Sequence, residues 1–381
     1  MTGFYIAAWL LCLTGVFMRG KYVLCIGARM LPDPYERKTV DLTEMTLLVL
    51  VFLLLTANRT GLDILNYVQA YLYEQDTFTI KDRLYGSLSM AAYQAGWSFY
   101  LFRAVLTFLS GFLAVSTIKK TGTDFRFVLL FYLPSMLFVD SMQFRNAVCL
   151  GLFLWSFRYL LSGGRQAAVT YVICILVIAQ IHAVYYFTLV LTVFFWKSKR
   201  KQITGLLFVL GLILAVATVW NGNQIPFFIQ IAHALTKTDM RAAAYSTSGN
   251  LGWTIPAAIH VLTTLLALMV YRHADRGVPG ITGRQMEYLR LMLIYDMLLF
   301  LTVPAIMMNL HFYRLIRGAF MINVTGVSFF MRYRRRQGRF SLLAGAALAV
   351  LAGMWFVLDL VIFETSATMA EPVLHGSLFF L

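Results

Sequence analysis

Apolar residues along this chain come in blocks and not in alternation. MTGFYIAAWLLCLTGVF, TLLVLVFLLLTA and WSFYLFRAVLTFLSGFLAVSTI are followed by similar runs to the end, separated by short polar or basic stretches. Blocks of this length predict helices at roughly 3–18, 42–57, 97–118, 126–141, 145–161, 167–181, 183–196, 203–220, 254–271, 286–303, 312–331 and 340–363. A hydrocarbon core of about 30 Å needs about 20 apolar helical residues, so most of these runs are candidates to cross a membrane. The pattern predicts an all-α, polytopic integral membrane protein of about 12 (10–14) helices. No Ser/Pro-rich linker interrupts it, so residues 1–381 read as one integral domain. Phe4 to Met18 has no basic residue before it and no small-residue cleavage site after it, and is expected to be a retained span from a chain starting at Met1.

Composition agrees. With 60% apolar residues, 13% charged residues and mean hydropathy +0.73, the chain is not a soluble globule. Cys12, Cys25, Cys149 and Cys174 lie in or beside apolar runs and form no CxxC pair, so they read as small apolar fillers. The net charge of +15 is unevenly placed. RGKYVLCIGARMLPDPYERK, KKTGTDFR, RYLLSGGR, KSKRK, RHADRGVPGITGR and RYRRRQGR hold 22 of the 32 Lys and Arg, and the predicted spans put all six on one side. By the positive-inside tendency that side is cytoplasmic, which places both termini outside. The tail ETSATMAEPVLHGSLFFL, without Lys or Arg, suits an external position. RYRRRQGR then reads as topology and contact with anionic lipid, not nucleic acid.

Against that orientation, Arg59, Lys81, Arg83, Arg103, Arg145, Lys237, Arg241, Arg314 and Arg317 lie on the outer side or at outer helix ends. Arginine keeps its charge when buried and grips phosphate in a planar, bidentate way, so these positions suggest an anionic ligand at the outer leaflet. Each taken singly has a plainer reading. Arg103 or Arg145 pairs with Asp140 or Asp63, or snorkels to headgroups, and Lys81 and Arg83 beside Asp82 are solvated. Arg314 and Arg317 are three apart on one helix face, a spacing that permits a two-pronged site. Asp296, about ten residues into a span, has Arg290 or a tyrosine hydroxyl as its expected partner.

Between Arg165 and Lys197, QIHAV breaks an apolar stretch whose two ends are basic. Two arms of about 15 residues would reach only about 22 Å, leaving His182 at the tip of a recessed hairpin. It is either a turn histidine satisfied by a backbone carbonyl or a functional group on the floor of an external cavity. The long external segments are 58–96 and 221–253, expected to hold amphipathic helices. In the first, Asp63, Tyr67, Tyr71 and Glu74 share a helix face, which suits a sugar surface and an ordinary membrane interface equally.

The run GLDILNYVQAYLYEQ, then RLYGSLSMAAYQAGWSFYLFRAVLTFLSGF, MQFRNAVCLGLFLWSFRYLL, IAQIHAVYYFTLVL and HFYRLIRGAF resembles, in order and spacing over about residues 55–330, the EpsG branch of the Wzy-like bacterial polysaccharide polymerases. The chain departs from the pattern in having Asn146 after the helix-opening arginine and two arginines in the late motif, so the choice between Arg314 and Arg317 stays open. The resemblance implies a GT-C-like glycosyltransferase that joins repeat units carried on undecaprenyl pyrophosphate at the outer face of the plasma membrane. Such chemistry needs a cationic clamp on the departing pyrophosphate and a base for the acceptor hydroxyl. The expected clamp is Arg145, Arg314 and Arg317, supported by Arg103 and Arg241, with Tyr67 and Tyr71 lining the substrate. The expected base is His182, then Asp63. No DxD, no His/acid triad and no Gly-rich phosphate loop is seen, so no metal, cofactor or nucleotide donor is expected. Membrane lipid is a partner, and a chain-length regulator is an optional one. A lipid-linked oligosaccharide flippase, an O-antigen ligase and a membrane O-acyltransferase are the alternatives.

Overall fold

The computed structural model describes residues 1–17, 23–25, 39–73, 82–123, 125–225, 251–277, 280–332, 339–363 and 370–375. Apolar blocks become helices nearly where the pattern puts them: α1 (Thr2–Phe17), α2 (Leu42–Ala57), α3 (Leu62–Tyr73), α4 (Arg83–Gln94) and α5 (Phe99–Lys120). There follow α6 (Phe125–Ser135), α7 (Leu137–Met142), α8 (Phe144–Ser162), α9 (Arg165–Ala179) and α10 (Arg200–Trp220). The last are α11 (Thr254–Asp275), α12 (Gly283–Leu298), α13 (Val303–Met308), α14 (Arg314–Arg332), α15 (Arg339–Val357) and the single turn α16 (Glu371–Leu374). The pattern did not predict one addition to the helical fold: Val23–Cys25 pairs antiparallel with Thr39–Asp41, Val23 opposite Asp41.

Five described helical stretches are long and apolar enough to cross a membrane: Phe99–Lys120, Arg200–Trp220, Thr254–Asp275, Gly283–Met308 and Arg339–Leu360. Gly283–Met308 is the most enclosed of them, whereas α10 turns Leu206, Ile213 and Trp220 outward, at 69%, 59% and 88% exposure. An apolar face this bare has lipid as its natural solvent, and the protein is a membrane protein.

One end of the bundle is tied by charge. Lys119 at the end of α5 pairs with Glu44 at the start of α2, and Arg200 of α10 reaches Glu287 of α12 at 3.1 Å. Arg158, late in α8, lies against Ser116 and Thr117 of α5. The opposite end is built from broken helices. Pro134 removes a backbone donor near the end of α6, and the run α6–α7–α8 restarts twice, at Leu137 and Phe144. Breaks strand carbonyls that lipid cannot satisfy. Two arginines answer them: Arg103, 1% exposed, donates to the carbonyls of Leu55, Asn58 and Ser141, and Arg317, 2% exposed, donates to that of Ser135.

Several expected partnerships are replaced. Asp296, fully buried, receives the Asn323 amide at 2.9 and 3.1 Å, not Arg290, which pairs with Glu287, nor a tyrosine hydroxyl. Asp140 accepts from the Tyr132 hydroxyl at 3.0 Å and makes no ion pair with a described arginine. Arg145, expected beside Asp140 or Asp63, pairs with Asp82. In each case the partner comes from a different helix, which sequence neighbourhood does not report.

Candidate functional site

Arg145 is the second residue of α8, directly after the break at Gln143. The helix is held at its height by Gly151, where a Cβ would stand 2.8 Å from the Ser110 carbonyl oxygen of α5, a contact only glycine permits. Arg145 Nη1 donates to Asp82 Oδ2 at 2.6 Å. Its guanidinium carbon lies 5.3 Å from the Tyr67 ring centroid and 5.0 Å from that of Tyr85. Phe144 meets Tyr67 edge-on at 4.9 Å, so an aromatic wall contributed by α3, α4 and α8 surrounds the charge.

The second component is the hairpin. Its first arm is α9, and its second, Ala183–Phe195, is a 3₁₀ helix throughout. At about 2.0 Å per residue, these 13 residues span about 26 Å, against about 20 Å in α form, so the tighter winding lengthens an otherwise short arm. Three contacts bring the tip to Arg145's end of α8. Gln180 accepts from the Tyr85 backbone N–H at 3.3 Å, Ile178 accepts from the Cys149 thiol at 3.6 Å, and the Tyr185 hydroxyl donates to the Asn146 carbonyl at 3.3 Å. His182 sits in that turn, with Nε2 3.4 Å from Nη1 of Arg314, the first residue of α14. Burial pushes the imidazolium down, to about 3, and the Arg145 and Arg314 guanidiniums push it the same way. His182 is therefore neutral in the unliganded protein. Beside a guanidinium its Nε2 is the lone-pair nitrogen, so Nδ1 carries the proton.

The candidates thus separate. Arg145, Arg314, His182 and Tyr67 converge. Arg317 does not: Nη2 stands 2.8 Å from Asp359 Oδ2, while Tyr313 donates to Asp359 Oδ1 at 3.2 Å. Arg103 is committed to the three carbonyls already named. Tyr71 is 2% exposed and donates to the Trp97 carbonyl at 2.9 Å, a pin between loop and helix. Asp63, half-buried in the first turn of α3, makes no ion pair with a described residue. Arg241 lies outside the described residues. Asp82 and Tyr85 are the site residues missed by sequence reasoning. The only signal was an acidic residue inside the basic triplet of Lys81, Asp82 and Arg83.

Two guanidiniums flanking an imidazole, with aromatic rings beside them, suit a multiply charged phosphate attached to a group with apolar faces. Among the described residues no three His, Cys, Asp or Glu side chains converge as a metal site. The family model described as "EpsG family" matches residues 43–367. The chain belongs to the EpsG family. No curated protein and no solved structure matches it. Membership covers every residue of the site, from Tyr67 to Arg314, and with the apolar helices supports a polysaccharide polymerase-like role in a membrane.

Proposed function

We propose that this EpsG-family protein is a polysaccharide polymerase of the plasma membrane, an inverting, GT-C-like glycosyltransferase with about twelve crossings and both termini outside. It joins oligosaccharide repeat units carried on undecaprenyl pyrophosphate at the outer face. The observation that carries the reading is the convergence of Arg145 and Arg314 on His182. It occurs at the end of the bundle away from the basic loops, within a chain of this family.

The acceptor hydroxyl oxygen attacks the anomeric carbon of the donor sugar as the bond from that carbon to the pyrophosphate breaks. The electron pair leaves on the pyrophosphate, where Arg145 and Arg314 stabilise it, and the hydroxyl proton passes to His182 Nε2. The unliganded site opposes that last transfer, since both guanidiniums disfavour a third positive charge. A bound pyrophosphate reverses the balance: Arg314 turns from Nε2 to phosphate, and the anion offsets the charges that depress the imidazole. The base is thus competent only when the leaving group is in place. Arginines supply the charge stabilisation that a divalent ion would otherwise give, so no metal is required.

The test mixes the reconstituted protein with a lipid-pyrophosphate-linked repeat unit, without nucleotide sugar or metal. A ladder of one-repeat steps that disappears in Arg145→Ala and Arg314→Ala is expected. Unchanged substrate overturns the reading. Movement of that lipid across sealed vesicles would make the site a transport path, and a single transfer to another lipid-linked glycan would make it a ligase.

A further inference from the structure

Asp82 occupies the residue before α4, the position where an aspartate ordinarily accepts from the first backbone N–H groups of its helix. Here its side chain makes no such bond. The N–H of Tyr85, which the carboxylate would cap, donates instead to Gln180 of the hairpin. The carboxylate is thereby left for Arg145, 63 residues away, at 2.6 Å and with the two side chains still 17% and 16% exposed. A capping residue has been diverted into the site, and the hairpin that carries His182 performs the capping.

Charge decides what this pairing does. Arg145 and Arg314 bring two positive charges and Asp82 one negative, leaving a net single charge where a pyrophosphate with two or more negative charges must bind. Pyrophosphate and carboxylate compete for the same guanidinium face, because both use its planar donors. We propose that Asp82 is the residue that receives the acceptor hydroxyl, and that it becomes available only when donor pyrophosphate displaces it from Arg145. The displaced carboxylate stays beside Arg145, where it can accept a hydrogen bond from the hydroxyl that attacks; the proton itself goes to His182. Donor therefore binds before acceptor. An empty site keeps Asp82 Oδ2 engaged with Arg145. This inference rests on the pyrophosphate-clamp reading of the same site.

The test uses the full chain in nanodiscs with inorganic pyrophosphate as probe, followed by polymer formation from the repeat unit. Asp82→Asn keeps the shape and removes the competing charge. It is expected to bind pyrophosphate about tenfold more tightly and to turn over about 100-fold more slowly. Tighter binding with slower turnover is a combination that mere loss of structural support cannot give. Asp82→Glu, which keeps the charge, should retain wild-type pyrophosphate affinity, and a melting curve for each variant reports folding separately. Weaker pyrophosphate binding in a folded Asp82→Asn, or polymer at the wild-type rate, overturns the proposal. A wild-type protein that binds pyrophosphate but makes no polymer refutes the polymerase reading, and the change in pyrophosphate affinity still judges the lock.

Discussion

Two arginine–carboxylate pairs lie near the same end of the bundle and differ in what they leave open. Arg317 and Asp359 are 2% and 3% exposed, 2.8 Å apart, with Tyr313 on the second carboxylate oxygen and the Ser135 carbonyl on the guanidinium. Arg145 and Asp82 are 16% and 17% exposed, 2.6 Å apart, and lie against the rings of Tyr67 and Tyr85. A sealed pair, once broken, strands a charge with no solvent to receive it. A partly open pair can exchange one anion for another. The first geometry suits a strut between α14 and the π-helical stretch Leu358–Phe363 that follows α15, and the second suits a binding site. Arg314, only one turn before Arg317, falls on the open side because the broken stretch before α14 points its first residue at the hairpin turn.

The largest effect should come from breaking the sealed pair. Arg317→Ala leaves Asp359 buried and uncompensated, which costs roughly 3–5 kcal/mol. In a detergent melting assay it should unfold well below the wild type or fail to accumulate in membranes. The double change Arg317→Met with Asp359→Leu should recover most of the loss, because two well-packed apolar side chains replace both charges. If Arg317→Ala melts like the wild type, the strut assignment is wrong, and Arg317 returns to the list of possible phosphate ligands.

The open pair should behave in the opposite way. Arg145→Ala is expected to lose about 100- to 1000-fold in turnover, as removal of one stabilising donor does elsewhere, with little change in melting. Arg145→Lys keeps the charge but not the planar fork, and should also be impaired. Near-normal polymer formation by either variant removes Arg145 from the clamp.

A smaller effect tests a carboxylate in the bundle interior. Among the described residues the Asp296 carboxylate is held by the Asn323 amide, away from the convergent arginines. Asp296→Asn should change stability by about 1 kcal/mol and leave the rate and the pyrophosphate affinity unchanged, since an amide oxygen still accepts from Asn323. A large loss of rate would connect the bundle interior to the chemistry.

The positions of the helices were legible because each apolar block is a local signal, and Arg145, His182 and Arg314 were legible as polar residues interrupting such blocks. What separates Arg314 from Arg317 was not. Arg317 is recruited by a carbonyl exposed near Pro134 and by Asp359, both distant in sequence, and no spacing along HFYRLIRGAF encodes either. Arg103 was misleading for the same reason: its three carbonyls exist as acceptors only because α2 and α7 end beside it. Asp82 stood out only as the neighbour of Lys81 and Arg83, because its partner opens a helix 63 residues later. The 3₁₀ winding of Ala183–Phe195 gives that arm a longer reach than an α-helix would, and an apolar block reads the same for either winding.

The subtlest difference between the sealed and open pairs should be visible at His182, which only the open site touches. The imidazole lies against Arg314 and feels Arg145, and with burial these keep it neutral at pH values where a free histidine is half charged. With nitrogen-labelled histidine, the signal missing from His182→Gln identifies the residue, and it should keep the neutral pattern from about pH 8 down to about pH 5. Adding inorganic pyrophosphate should move its titration upward, toward the ordinary value near 6.5, because the anion engages both guanidiniums that hold it down. Arg314→Gln should shift it the same way without any ligand, whereas Arg317→Met with Asp359→Leu should not shift it. A His182 that titrates normally in the unliganded protein, or that ignores pyrophosphate, would mean that the arginines and the base do not share one electrostatic site. The link between leaving-group binding and proton acceptance would then have no physical basis.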